Sequence, residues 1–148
     1  MSDSRNGVPA AAEAYGFAQT RDVAWGEMDA LAHVNNTVYF RYFESARIAV
    51  FEAAGRVTRT GREGPILAET ACRFRIPVEY PERLTVATRI ASWGTTSVVM
   101  EHAVFLADGR LAAEGRAVVV WFDYASAEKR PWPEDLRRAL EAACRPKA

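Results

Sequence analysis

Asn35-Asn36-Thr37-Val38-Tyr39-Phe40-Arg41-Tyr42-Phe43-Glu44-Ser45-Ala46-Arg47-Ile48-Ala49-Val50-Phe51-Glu52-Ala53-Ala54-Gly55 reads as one long helix with both ends marked. Tyr39, Tyr42, Phe43, Ala46, Ala49, Val50 and Ala53 recur at three- and four-residue steps and form one apolar stripe. Arg41, Glu44, Arg47 and Glu52 fall on the polar face, and Glu44 and Arg47 can pair weakly. Asn35 suits the cap, because its short amide accepts from the free N–H groups of the first turn. Gly55 follows the last periodic residue, as a helix stop should. The alanines at 46, 49 and 53 leave room for another layer to approach closely.

Downstream the period changes to two. Cys72, Phe74 and Ile76 alternate with Arg73 and Arg75. Leu84, Val86, Thr88 and Ile90 form a second run, Val98 to Leu106 a third, and Leu111 to Trp121 a fourth. Turn signals separate them at Tyr80-Pro81-Glu82, Trp93-Gly94-Thr95 and Asp108-Gly109, the last being a two-residue hairpin signal. Strands joined by short turns form an antiparallel meander. Upstream, Phe17 to Trp25 reads as a first strand and Gly26 to Asn35 as loop. Pro131 and Pro133 introduce a short helix, Glu134 to Ala143. One long helix against one five-stranded antiparallel sheet is a two-layer α+β design. A single helix covers one sheet face, so a second copy of the chain can complete the other face or an edge.

The chain has 148 residues, 19 basic against 19 acidic. That length suits one domain, taken as 17–143, with a flexible leader at 1–16 and a tail at 144–148. Zero net charge gives no long-range pull toward nucleic acid or an anionic membrane. The longest apolar run, Ala117 to Phe122, is far short of the ~20 residues of a membrane span. The N-terminus shows no basic-then-apolar signal pattern. Cys72 and Cys144 lack metal-ligand spacing and read as free thiols of a cytoplasmic protein. The basic charge is carried by 17 Arg and 2 Lys, which matches either anion recognition or simple genome bias.

The densest polar cluster is Trp25-Gly26-Glu27-Met28-Asp29-Ala30-Leu31-Ala32-His33-Val34-Asn35-Asn36, running into Tyr39. It ends at a helix N-terminus, where free N–H groups and the dipole favour a developing oxyanion. Asp29 lies six residues before Asn35 and can reach the same site if the loop folds back. A carboxylate beside backbone donors suits acyl hydrolysis, by direct attack or through a water. There is no Gly-x-Ser-x-Gly elbow, no metal-ligand spacing and no phosphate-binding Gly-rich loop.

The stretch Trp25 to Arg47, with its Asp-x-x-x-His-Val-Asn-Asn-x-x-Tyr motif, resembles the acyl-CoA thioesterases of the hotdog fold. The similarity is greatest to the 4-hydroxybenzoyl-CoA thioesterase-like branch. Gly64-Pro65-Ile66-Leu67-Ala68-Glu69, Pro77 to Pro81, Asp108-Gly109, Ala113-Glu114-Gly115 and Trp121-Phe122-Asp123 extend it over about Phe17 to Leu140. The resemblance implies a long central helix wrapped by the sheet, and edge-to-edge dimers that can pair into tetramers. It places active sites at the dimer interface. It implies Asp29 as the catalytic carboxylate and the backbone N–H near Asn36 as the group that polarises the carbonyl. It implies no metal or cofactor, coenzyme A being part of the substrate. Most relatives carry Gly where this chain has Ala32; a positive φ there would cost Ala about 1 kcal/mol. Where some aromatic-acyl members carry basic residues, Gly94-Thr95-Thr96 is uncharged, which leaves Arg73, Arg75 and Arg89 as phosphate candidates by charge alone.

Each residue also has a plainer role. Asp29 fits a simple loop or capping carboxylate. His33 fits a residue that orients the loop by hydrogen bonds rather than moving protons. Asn35 fits a helix cap that also shapes the oxyanion site. Tyr39 fits either core packing or the wall of an acyl pocket, and Trp25 either a core strand or a pocket wall. His102, inside an alternating strand, fits a structural role. The reading that follows is an acyl-CoA thioesterase with Asp29 as nucleophile or general base, Asn36 N–H as oxyanion donor, and Trp25, His33, Asn35 and Tyr39 around the substrate. The alternative is a hotdog dimer that binds acyl-CoA or an acyl carrier without hydrolysing it.

Overall fold

The computed structural model describes residues 7–56 and 61–146. The elements are α1 (Ala10–Glu13), β1 (Phe17–Asp22), α2 (Asn36–Ala53), β2 (Glu63–Phe74), β3 (Arg83–Trp93), β4 (Ser97–Phe105), β5 (Leu111–Asp123), β6 (Glu128–Lys129) and α3 (Glu134–Ala143). The sheet runs β1-β3-β4-β5-β2, antiparallel throughout, with β6 paired to the end of β5. The α+β reading holds: five long strands curl around α2 in the hotdog arrangement, and a short C-terminal helix follows.

Alternation explains the core. Leu84 and Val86 of β3, Val104 of β4 and Ala113 of β5 meet Tyr39, Tyr42, Phe43 and Ala46 of α2. Farther along, Val98, Met100, Val119 and Trp121 meet Val50 and Phe51, and Leu136 and Leu140 of α3 close that end with Trp132. Each such large side chain contributes about 1.5–3 kcal/mol on burial. At one point of contact between the layers, Phe43 stacks on His102 at 5.0 Å and 10°. Gly115, the β5 neighbour of His102, makes this possible, because a Cβ there would lie 2.4 Å from the Phe43 ring.

His102 is buried and neutral. Burial, and secondarily the charge of Arg47, push its pKa down to about 3. Arg47 Nη1 approaches Nε2 at 3.4 Å and can only donate, so the ring proton sits on Nδ1, 2.9 Å from Thr88 Oγ1. Arg47 itself departs from the sequence expectation. It is 8% exposed and turns inward to His102, and Glu44 acts on it only through space.

Other boundaries differ for physical reasons. β1 stops at Asp22, and Trp25 lies beyond it in a single 3-10 turn, 72% exposed rather than in a core strand. β2 begins at Glu63, well before its alternation becomes visible. It is an edge strand, exposed along most of its length, and a bulge between Leu67 and Glu69 shifts its phase. The β4–β5 turn is longer than a two-residue hairpin: Leu106 N–H donates to the Arg110 carbonyl at 2.9 Å, and Gly109 takes φ +91° between them. In the stretch read as flexible leader, α1 lies on the outer sheet face, with Ala12 buried against Ala87, Ala103 and Phe105. In the stretch read as tail, Cys144 packs with Leu136 and Leu140. Residues 1–6 of the leader, 57–60 of the loop after Gly55, and 147–148 of the tail lie outside the described residues.

Candidate active site

The chain leaves the sheet after β1 and forms a closed loop that delivers it to the start of α2. Glu27 Oε1 accepts Ala24 N–H at 2.7 Å and fixes the 3-10 turn. The two arms then pair: Met28 bridges Val34, and Asn35 N–H donates to the Glu27 carbonyl at 3.0 Å. At the tip Ala32 N–H donates to the Asp29 carbonyl at 3.0 Å, and Asp29 N–H to the His33 carbonyl at 3.1 Å. Val34 N–H donates to the Val78 carbonyl at 2.8 Å, which anchors the loop to the segment before β3. The tight tip requires a left-handed residue, and Ala32 takes it with φ +62°. The loop therefore folds back as the six-residue spacing allows, with Ala bearing a conformation that suits Gly.

Folding back brings Asp29 to Asn35. Asp29 Oδ1 accepts Leu31 N–H at 2.9 Å, and Oδ2 accepts Asn35 Nδ2 at 2.9 Å. The other end of the same amide caps α2: Asn35 Oδ1 accepts Thr37 N–H at 2.9 Å and Thr37 Oγ1–H at 2.6 Å. The Leu31 N–H, then the Asn35 amide, hold the Asp29 carboxyl below the usual carboxylate range. It is thus a charged base at neutral pH. Asn36 N–H opens the first turn of an 18-residue helix and finds no acceptor among the described residues. A free donor, a positive helix end and a fixed carboxylate lie within eight residues of chain, from Asp29 to Asn36, and the Asn35 side chain links the carboxylate to the helix start.

A cleft of about 330 Å³ adjoins this helix end. Asn36, His33, Val34, Tyr39, Phe74 and Ile76 line it. Tyr39 is 3% exposed and packed in the core, and it also lines the cleft, edge-on to Phe74 at 5.0 Å. Burial raises its phenol pKa, so the hydroxyl stays protonated. His33 reaches away from the loop toward Glu79, Nε2 to Oε1 at 3.5 Å. Of the residues the sequence placed at the site, His33, Asn36 and Tyr39 line this cleft, whereas Trp25, Asp29 and Asn35 stand outside its lining.

Two contributors were not singled out from the sequence. Phe74 is 48% exposed at the cleft mouth; an aromatic ending an edge strand was its only signal. Tyr42 O–H donates to Glu27 Oε1 at 3.0 Å, a contact across 15 residues that no periodicity reveals. Of the arginines considered for phosphates, Arg75 pairs with Glu114 at 2.6 Å and Arg89 with Glu101 at 3.0 Å, while Arg73 is exposed. Among the described residues no three His, Cys, Asp or Glu side chains gather as metal ligands. No described helix is long and apolar enough to cross a membrane.

Comparison with known proteins agrees with the fold. The chain is similar to the PA5185 protein of Pseudomonas aeruginosa at 32% identity, over 93% of this chain and 96% of that one, with a TM-score of 0.81. It is similar to the PA2801 protein of the same organism at 33% identity, over 84% of this chain and 98% of that one, TM-score 0.79. A thioesterase of Thermus thermophilus, solved with coenzyme A and zinc, is 29% identical over 88% of this chain and 96% of that one, TM-score 0.76. The sequence model of the thioesterase-like superfamily matches residues 23–140. That match spans the Asp29 loop, the central helix and every strand but β1, and the chain belongs to the thioesterase-like superfamily.

Proposed function

We propose that the protein is an acyl-CoA thioesterase that releases a free acid and coenzyme A, in the manner of the 4-hydroxybenzoyl-CoA thioesterase-like branch. One observation carries the reading: Asp29, held charged by Leu31 N–H and the Asn35 amide, is tied through that same Asn35 side chain to the first turn of α2. The thioester oxygen would sit against Asn36 N–H, where the helix end stabilises the negative charge that develops on it. Asp29 then attacks the carbonyl carbon, the CoA thiolate leaves, and water hydrolyses the resulting mixed anhydride to the free acid and Asp29; or Asp29 takes a proton from a water that attacks the carbon directly, and the CoA thiolate leaves with that proton. Tyr39 and Phe74 flank the acyl group, and His33 and Asn35 hold the loop. No step of this chemistry calls on a metal or cofactor, so turnover should survive a chelator.

Asp29 is exposed in the single chain, whereas this chemistry gains from excluding water. The second copy expected from the sequence supplies the missing wall in this proposal. It would pair along β2, a 12-residue edge strand with Ile66, Leu67 and Phe74 exposed at 37%, 44% and 48%. The free thiols of Cys72 and Cys144 suit a cytoplasmic setting.

The test is thiol release from a panel of short, medium, long and aromatic acyl-CoAs by wild type and Asp29→Asn. Hydrolysis by wild type and its loss in the variant support the reading. Turnover that survives in Asp29→Asn sinks the role of Asp29. Tight acyl-CoA binding without hydrolysis by wild type favours a binding protein instead.

A further inference from the structure

Glu27 touches both arms of the loop that carries Asp29. Its carbonyl holds the outgoing arm through Asn35 N–H, and its carboxylate holds the incoming arm through Ala24 N–H. The same Oε1 also accepts Tyr42 O–H at 3.0 Å, which ties the neck of the loop to the second turn of α2. Tyr42 is a firm anchor. It is 1% exposed, its ring packs on Tyr39 at 6.0 Å, and the Arg21 guanidinium of β1 lies over it at 4.3 Å. Arg21 Nε has no acceptor among the described residues, while the guanidinium faces the ring. Burial first, and then the bond to Glu27, keep the phenol protonated, which makes Tyr42 a permanent donor.

We propose that Glu27 and Tyr42 are positioning residues for thioester hydrolysis: their hydrogen bond sets where Asp29 stands relative to Asn36 N–H. This rests on the Asp29 reading above. The loop has bonds of its own, at Met28–Val34 and from Val34 N–H to Val78, so it stays formed when the tie is cut. What is lost is its registration against α2. A misplacement of the carboxylate by a fraction of an ångström lowers the rate without weakening substrate binding.

The experiment compares Tyr42→Phe, Glu27→Ala and Glu27→Gln with wild type, well below their melting temperatures. Tyr42→Phe and Glu27→Ala should lose about tenfold in kcat with KM within about twofold. Glu27→Gln should restore most of kcat, because its amide oxygen accepts the same two hydrogen bonds. A merely structural pair would lower Tm and leave kcat alone. Unchanged kcat in Tyr42→Phe and Glu27→Ala, or a Glu27→Gln as impaired as Glu27→Ala, overturns the proposal. Asp29→Asn run alongside separates the two ideas: if it is inactive while the tie variants are normal, only the tie fails, and if it is active, both fail. Should wild type turn over no acyl-CoA in the panel, the hydrolysis reading fails and the positioning role of the tie is overturned with it.

Discussion

The amide of Asn35 bonds the Asp29 carboxylate at 2.9 Å with its nitrogen and caps α2 at 2.9 Å with its oxygen. One side chain therefore joins the acid of the proposed reaction to the helix end that would hold the oxyanion. Asn35→Ala should lose about 1 kcal/mol of stability from the cap and roughly tenfold in kcat from the freed carboxylate. Calorimetry and thiol-release kinetics on the same preparation check both.

The same bond makes a prediction about acid. Because Leu31 N–H and the Asn35 amide lower the Asp29 pKa, the acid limb of wild-type kcat/KM should lie below that of an unperturbed aspartate. In Asn35→Ala one of the two holding bonds is gone, so the limb should move up toward ordinary carboxylate values. A limb that does not move would show that the amide leaves the acidity of Asp29 alone.

Ala32 bears a φ of +62°, which glycine adopts freely. Ala32→Gly should gain up to about 1 kcal/mol, or a rise in Tm of about 2–4 °C. Activity should stay within about twofold, since the hydrogen bonds of the loop are made by its neighbours. A fall in Tm would mean that the entropy of the added glycine outweighs the relief.

Gly115→Ala sends a methyl into the Phe43 ring, which lies 2.4 Å from the Cβ position. The cost should be about 1–3 kcal/mol. Adding Phe43→Leu should recover part of it, so the double variant loses less than the sum of the two single variants. Urea melts of the four proteins measure this coupling.

His102 couples stability to pH. It is neutral in the fold, with a pKa near 3, and titrates near 6.5 when unfolded. Between those values the unfolded chain binds the extra proton, so stability from this site is full above about pH 6.5 and falls as pH drops toward 3, by at most about 1.4 kcal/mol per unit. His102→Gln should flatten the slope of Tm against pH in that window. An unchanged slope would assign the acid sensitivity to other groups.

Signals that act over a few residues were legible in the sequence. Asn35 as cap, Gly55 as stop, the alternation of β3 to β5 and the prolines before α3 each rest on backbone chemistry within a turn or a strand. So did the approach of Asp29 to Asn35, across one short loop. What was hidden depends on distant neighbours. Arg47 has the spacing of a surface charge and is buried because His102 and Thr88 wait beneath it. Trp25 continues an apolar pattern although the chain has already left the sheet. Tyr42 repeats with the core stripe, and its hydroxyl gains meaning only from Glu27.

The single turn of α1 has a consequence for handling the protein. It rests on the outer sheet face through Ala12, with Tyr15 edge-on to Phe105 at 6.2 Å. So small a contact opens long before the sheet does, and its amides should exchange hydrogen fastest among the helices. Once it peels away, Ala87, Ala103 and Phe105 form a bare apolar spot beside the charged row of Arg89, Glu101 and Arg116. Mild heat or a trace of protease should therefore make the protein sticky before it makes it inactive.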